Sequence, residues 1–165
     1  MVKKILFIAA VLWNVQAFAQ LDTRPPYLQF PTVPPFTIQL FPDSSSFTRH
    51  DLDKRKPLMI FLFSPDCDHC HHAMTDLLAN ILLFKKMQIV MVTSLDFKMI
   101  KEFYETFKIA DHPSIKVGRD PGYFLGSFYK NTSYPSLYFY NKKGKFIKGY
   151  ESPGSFAKIA EEISK

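Results

Sequence analysis

A chain of 165 residues, 47% of them hydrophobic and 16% aromatic, is long enough for one domain with a buried core. Its net charge of +6 is mild, and the basic residues fall in short separated groups (Lys54, Arg55, Lys56; Lys85, Lys86; Lys142, Lys143, Lys145). That distribution reads as solvated surface and excludes nucleic acid as the partner.

At the start of the chain, Lys3 and Lys4 precede an apolar run over 5–13, and Ala17-Phe18-Ala19 places small residues where a signal peptidase inspects them. Residues 1–19 therefore read as a signal peptide. An apolar run of about nine residues falls far short of the ~20 that span a bilayer. Cleavage leaves 146 residues and removes two lysines, so the charge falls to +4. The product is expected to be soluble and exported, periplasmic or secreted, with no transmembrane anchor after signal cleavage.

Residues 20–35 form a Pro-rich arm, five of whose residues from 24 to 35 are proline. Proline blocks helix and removes backbone donors, so the arm is expected to be extended. A globular pattern then runs over 36–165. Residues 36–40 alternate as a short strand, Ser44-Ser45-Ser46 reads as a turn, and the continuously apolar run 58–63 reads as a strand buried on both faces.

A helix follows, with Met74, Leu77, Leu78, Ile81 and Leu82 on one face, and residues 88–93 form a second buried strand. The strand–helix–strand unit over 58–93 is long enough for parallel pairing, which favours an α/β sheet. Met99, Ile100, Phe103 and Phe107 mark another amphipathic helix. Residues 108–133 contain breakers at Pro113, Gly118, Pro121, Gly122 and Gly126 and are expected to be irregular. Residues 136–140, a turn at 141–144 and residues 145–150 read as an antiparallel hairpin. A last helix is expected to start at Ser152-Pro153 and to bury Phe156, Ile159, Ala160 and Ile163.

The only two cysteines stand in Cys67-Asp68-His69-Cys70, between the first buried strand and the helix. The spacing suits a reversible disulfide and also metal binding; with His71 it spells the pattern used for c-type haem attachment. Outside the cytosol the pair can persist as a disulfide, and no third cysteine can divert either member.

Pro34-Pro35-Phe36-Thr37-Ile38, Lys56-Pro57, the cysteine motif, Met74, Tyr134-Pro135-Ser136 and Asn141-Lys142-Lys143-Gly144-Lys145 occur in an order that resembles the thioredoxin-like superfamily, in particular its exported TlpA and ResA type of thiol–disulfide oxidoreductase. The resemblance covers about residues 34–164. It implies a thioredoxin fold, α/β, with a central mixed β-sheet flanked by helices, and an enzyme without a cofactor. It implies Cys67 as nucleophile, Cys70 as resolving thiol, and a cis Pro135 whose neighbour Tyr134 pairs with the substrate backbone. The expected partners are protein thiols or disulfides and an unidentified redox partner.

Three departures accompany the likeness. Asp66 replaces the tryptophan usual before the first cysteine, Phe61 stands where thioredoxins bury a proton-transferring aspartate, and residues 89–93 lack its companion lysine. Cys67 at a helix N-terminus sits where backbone N–H groups and the helix dipole favour an anion. Protonated His69 would add to that effect, while Asp66 and Asp68 oppose it. His69 directly before the second cysteine also resembles protein disulfide isomerase and DsbA, implying a couple at about −120 to −220 mV. Two rival chemistries remain: a metal site of the copper-delivery kind, using both cysteines and some of His69, His71 and His72, and haem attachment across residues 67–71.

Overall fold

The computed structural model describes residues 22–164; the predicted signal peptide lies outside the described residues. Seven strands form one sheet: β1 (Thr37–Leu40), β2 (Ser46–Thr48), β3 (Leu58–Leu62), β4 (Gln88–Thr93), β5 (Ile115–Arg119), β6 (Ser136–Tyr140) and β7 (Phe146–Glu151). Their spatial order is β2-β1-β5-β4-β3-β6-β7. The pairs β3–β4 and β4–β5 are parallel, and the others are antiparallel, so the sheet is mixed as expected.

β3 explains why its sequence is uniformly apolar. Met59, Phe61 and Phe63 face one core with Met74, Leu77, Phe103 and Phe156, whereas Leu58, Ile60 and Leu62 face a second core with Val90, Tyr129, Tyr138 and Tyr140. Successive strand side chains point to opposite faces, so a central strand covered on both sides needs apolar residues throughout.

Five helices cover the faces: α1 (Pro26–Gln29), α2 (Asp68–Ala79), α3 (Phe97–Thr106), α4 (Phe124–Tyr129) and α5 (Phe156–Ile163). The arm differs from the extended segment expected. Pro25 and Pro26 occupy the N-cap and first position of α1, where a missing N–H costs nothing, so they start a turn of helix instead of preventing it. Tyr27 then sits among Tyr129, Tyr138 and Phe146 at ring separations of 5.3–5.6 Å. Val33 N–H donates to the Gly144 carbonyl at 3.0 Å and Phe146 N–H to that of Pro31 at 2.9 Å. The arm thus caps the second core.

Residues 108–133 are also more ordered than their breakers suggest, since they supply β5 and α4. Left-handed Lys108, Tyr123 and Lys130 accommodate the sharp turns between these elements. Tyr129 stacks on Tyr138 at 3.6 Å, and its hydroxyl meets that of Tyr140 at 2.6 Å. Three smaller expectations are corrected. Ser46 belongs to β2; Leu82 is 77% exposed because α2 ends at Ala79 and gives way to a 3-10 turn at Ile81–Phe84; and α5 begins at Phe156 with Ser155 as N-cap, Ser152 being left-handed.

Gly118 sits where β5 meets β1. A Cβ there would lie 2.8 Å from Ile38 Cδ1 and 2.9 Å from the Gln39 carbonyl oxygen, a backbone atom that cannot swing aside. Gly118→Ala is expected to destabilise the fold by about 1–3 kcal/mol, read as a lower urea midpoint; an unchanged midpoint would show that the β1–β5 contact yields freely.

Candidate active site

The site forms where β3 ends and α2 begins. Ser64 and Pro65 turn the chain, and Cys67 is the N-cap of α2 with extended backbone; its carbonyl accepts from Cys70 N–H at 2.9 Å and His71 N–H at 3.1 Å. No side chain caps the helix, and Cys67 remains half-buried at its tip. Cys70, three residues on, turns inward and is fully buried among Met74, Phe63 and their neighbours. Packing of this helix against the core therefore makes the two thiols unequal: the first is accessible and the second is not.

The loop before β6 completes the site. The Tyr134–Pro135 peptide is cis, and Cys67 Sγ donates to the Tyr134 carbonyl at 3.8 Å, across 67 residues of sequence. The tyrosine ring is half-buried, and burial, followed by its hydrogen bond with Tyr123, raises its phenol. Cys67, Cys70, Tyr134 and Pro135 are thus brought together. His69 lies beside them and is exposed; with Pro135, His72, Asp76 and the 152–154 turn it lines a groove of about 340 Å³. Asp68 is exposed in the first turn of α2.

Burial dominates the electrostatics of Cys70 and pushes its thiol up to about 12, with smaller upward contributions from Cys67 and the Asp66 carboxylate. One contact acts in the opposite direction: Ser64 N–H donates to Cys70 Sγ at 3.5 Å. Phe61, at the position of the thioredoxin aspartate, is fully buried against Phe63 and Phe156. No carboxylate or imidazole hydrogen-bonds the Cys70 sulfur among the described residues.

Sequence reasoning overlooked Ser64, the supporting contacts of His71, and Asp76. Ser64 contacts Cys70 through its backbone and donates from its hydroxyl to Asp66, holding the turn. His71 places Nε2 2.7 Å from the Pro65 carbonyl, with its ring edge-on to Phe103 and Phe107. Asp76 accepts from Phe156 N–H at 2.7 Å, so α2 caps the start of α5 from 80 residues away. No local pattern could reveal the first two, because a backbone donor and a side chain–carbonyl contact leave no spacing signal.

These contacts bear on the rival chemistries. Cys70 is too enclosed to carry a thioether to a macrocycle, and His71 is packed edge-on against two phenylalanines and engaged with Pro65, not projecting as an axial ligand. Adjacent histidines diverge around a helix: His69 and His72 reach the groove and His71 the opposite side. Among the described residues no three His, Cys, Asp or Glu side chains are grouped to hold a metal ion.

The sequence matches no protein-family model and no curated protein. Solved structures do match. A secreted Mycobacterium tuberculosis disulfide oxidoreductase homologous to Escherichia coli DsbE aligns with a TM-score of 0.65 at 16% identity, over 78% of this chain and 94% of that one. An exposed lipoprotein thioredoxin from Streptococcus pneumoniae gives 0.62 at 21% identity, over 79% and 98%. Copper-bound ScoI from Arabidopsis thaliana gives 0.63 at 16% identity, over 79% and 94%. The chain therefore has the thioredoxin-like fold. Because that fold carries both thiol exchange and copper binding in these proteins, the site must decide the chemistry.

Proposed function

We propose that the chain is an exported thiol–disulfide oxidoreductase acting on protein thiols or disulfides, with Cys67 as nucleophile and Cys70 as resolving thiol. One observation carries this reading: an accessible cysteine at the N-terminus of α2, its sulfur 3.8 Å from the Tyr134 carbonyl, is backed by a buried cysteine whose thiol is pushed up to about 12. The Cys67 thiolate attacks one sulfur of a substrate disulfide, forming a mixed disulfide and expelling the other sulfur as thiolate. The Cys70 thiolate then attacks Cys67 Sγ, closing the Cys67–Cys70 disulfide and releasing the second substrate thiolate. The protons lost by the two cysteines equal those the two product thiolates take up. In reverse the same couple donates a disulfide.

Tyr134, whose carbonyl meets Cys67 Sγ, is the backbone partner in this reading, and Pro135 and His69 line the adjoining groove. The secretory character of residues 1–19 supports an extracytoplasmic location, where the Cys67–Cys70 pair can persist as a disulfide. Among the described residues no helix is long and apolar enough to cross a membrane.

Titration of the pair against glutathione, read by thiol alkylation and mass, tests the proposal. The expected midpoint lies at about −120 to −220 mV, the range of oxidising and isomerising members. A midpoint below about −250 mV would assign a reductase direction, and a pair that never cycles would exclude exchange altogether.

A further inference from the structure

The polarity of the sheet sends a defined set of chain segments to the end opposite the cysteines. β3 and β4 begin there, β6 ends there, and the β6–β7 turn lies there too. Three basic segments far apart in sequence consequently meet. Lys54, Arg55 and Lys56 lead into β3, Lys85 and Lys86 lead into β4, and Lys142 and Lys143 form the turn. Two adjoining hollows of about 370 and 340 Å³ share Asn141 and Lys142 between them; Arg49, Lys54 and Lys56 line the first and Lys86 the second.

Of the neighbouring acids, Glu161 and Glu162 lie on α5 beside residues that line the second hollow, and Glu162 pairs with Lys148. Asp53 is engaged by Arg55 and Lys56, and Asp51 by Thr48. Lys85, Lys86, Lys142 and Lys143 are exposed and form no ion pair among the described residues. Apolar side chains stand among them. Leu82 is 77% exposed, Leu83 58% and Ile147 43%, and Leu83 and Ile147 line the same hollow as Lys86 and Lys142.

The combination selects an occupant. A soluble polyanion would satisfy the lysines and leave the leucines in water, and an apolar protein face would leave four cations without counter-charge. An anionic bilayer meets both demands, because phosphates attract lysines while aliphatic tips enter the headgroup–acyl boundary. We propose that this end of the molecule docks on the surface of anionic phospholipid, through Lys85, Lys86, Lys142 and Lys143 with Leu82 and Leu83 inserted. Cys67 then faces away from the membrane, toward substrates arriving from the aqueous side.

Co-sedimentation of the exported, processed protein with vesicles tests this. Phosphatidylcholine vesicles containing phosphatidylglycerol are expected to bind at least about tenfold more tightly than phosphatidylcholine alone, and high salt to release the protein. Lys85→Glu/Lys86→Glu and Leu82→Ser/Leu83→Ser should each weaken binding about tenfold or more. Lys98→Glu/Lys101→Glu, on α3 after the C-terminal end of β4, changes net charge equally at residues that line neither hollow, and should bind as the parent does. Far-UV circular dichroism confirms that each variant is folded. Equal binding to both vesicle types, or an equal loss in the Lys98/Lys101 variant, overturns the proposal. Full binding by the leucine variant, competed by heparin, would assign the face to a soluble polyanion. Vesicle-free dimers that Leu82→Ser/Leu83→Ser converts to monomers would assign it to a second copy; either result overturns the bilayer.

Discussion

Cys67→Ser should lower disulfide exchange at least about a thousandfold, measured as insulin reduction, while Cys70→Ser should accumulate mixed disulfides visible by mass. The asymmetry follows from exposure. Cys67 alone can meet a substrate, whereas Cys70 is buried and its thiol is pushed up to about 12. Resolution requires the Cys70 thiolate, and a group titrating that high is almost wholly protonated near neutrality. Its thiolate fraction grows about tenfold per pH unit, so the resolving rate should climb steadily between about pH 7 and 9 without a plateau. Phe61 sharpens the expectation, since it leaves an apolar ring where thioredoxins keep a carboxylate. Stopped-flow measurement of the second step checks this. A plateau below about pH 8 would reveal a proton acceptor and overturn the account, and insulin reduction by Cys67→Ser protein would overturn the mechanism.

Phe156→Ala should destabilise the protein by about 3–5 kcal/mol, lowering the urea midpoint by roughly 2 M. Its ring is fully buried, 6.3 Å from that of Phe61 and 5.8 Å from that of Phe84, and so joins α5 to β3 and to the turn after α2. Truncation removes the contacts and leaves a cavity that the sheet cannot close, because β3 is held on both sides by β4 and β6. The backbone N–H of Phe156, bonded to Asp76, is untouched, so α5 should stay capped and the loss should reflect packing. A cost below about 1 kcal/mol would mean that α5 is docked chiefly by that hydrogen bond and not by the ring.

Much of the architecture is legible in local patterns. The unbroken apolar runs of β3 and β4 mark strands buried on both faces, and Cys67 at the strand–helix junction locates the site. Prolines and glycines were the poorer guides. In the arm they occupy positions where a helix tolerates proline, and across 108–133 left-handed turns link ordered elements instead of dissolving them. His71 was legible only as part of a spacing; its bond to Pro65 and its place against Phe103 and Phe107 depend on a helix packed beside it.

The sequence by itself determined the periodicities, the order of elements and which two sulfur atoms are available, because these depend on neighbours within a few residues. Tertiary structure alone decided which sulfur is buried, that the Tyr134 carbonyl stands over Cys67, that Asp76 caps α5, and that three scattered lysine groups share one end of the molecule. Each depends on long-range strand pairing, which brings together residues 30 to 82 positions apart and changes the burial and electrostatic surroundings that give them their chemistry.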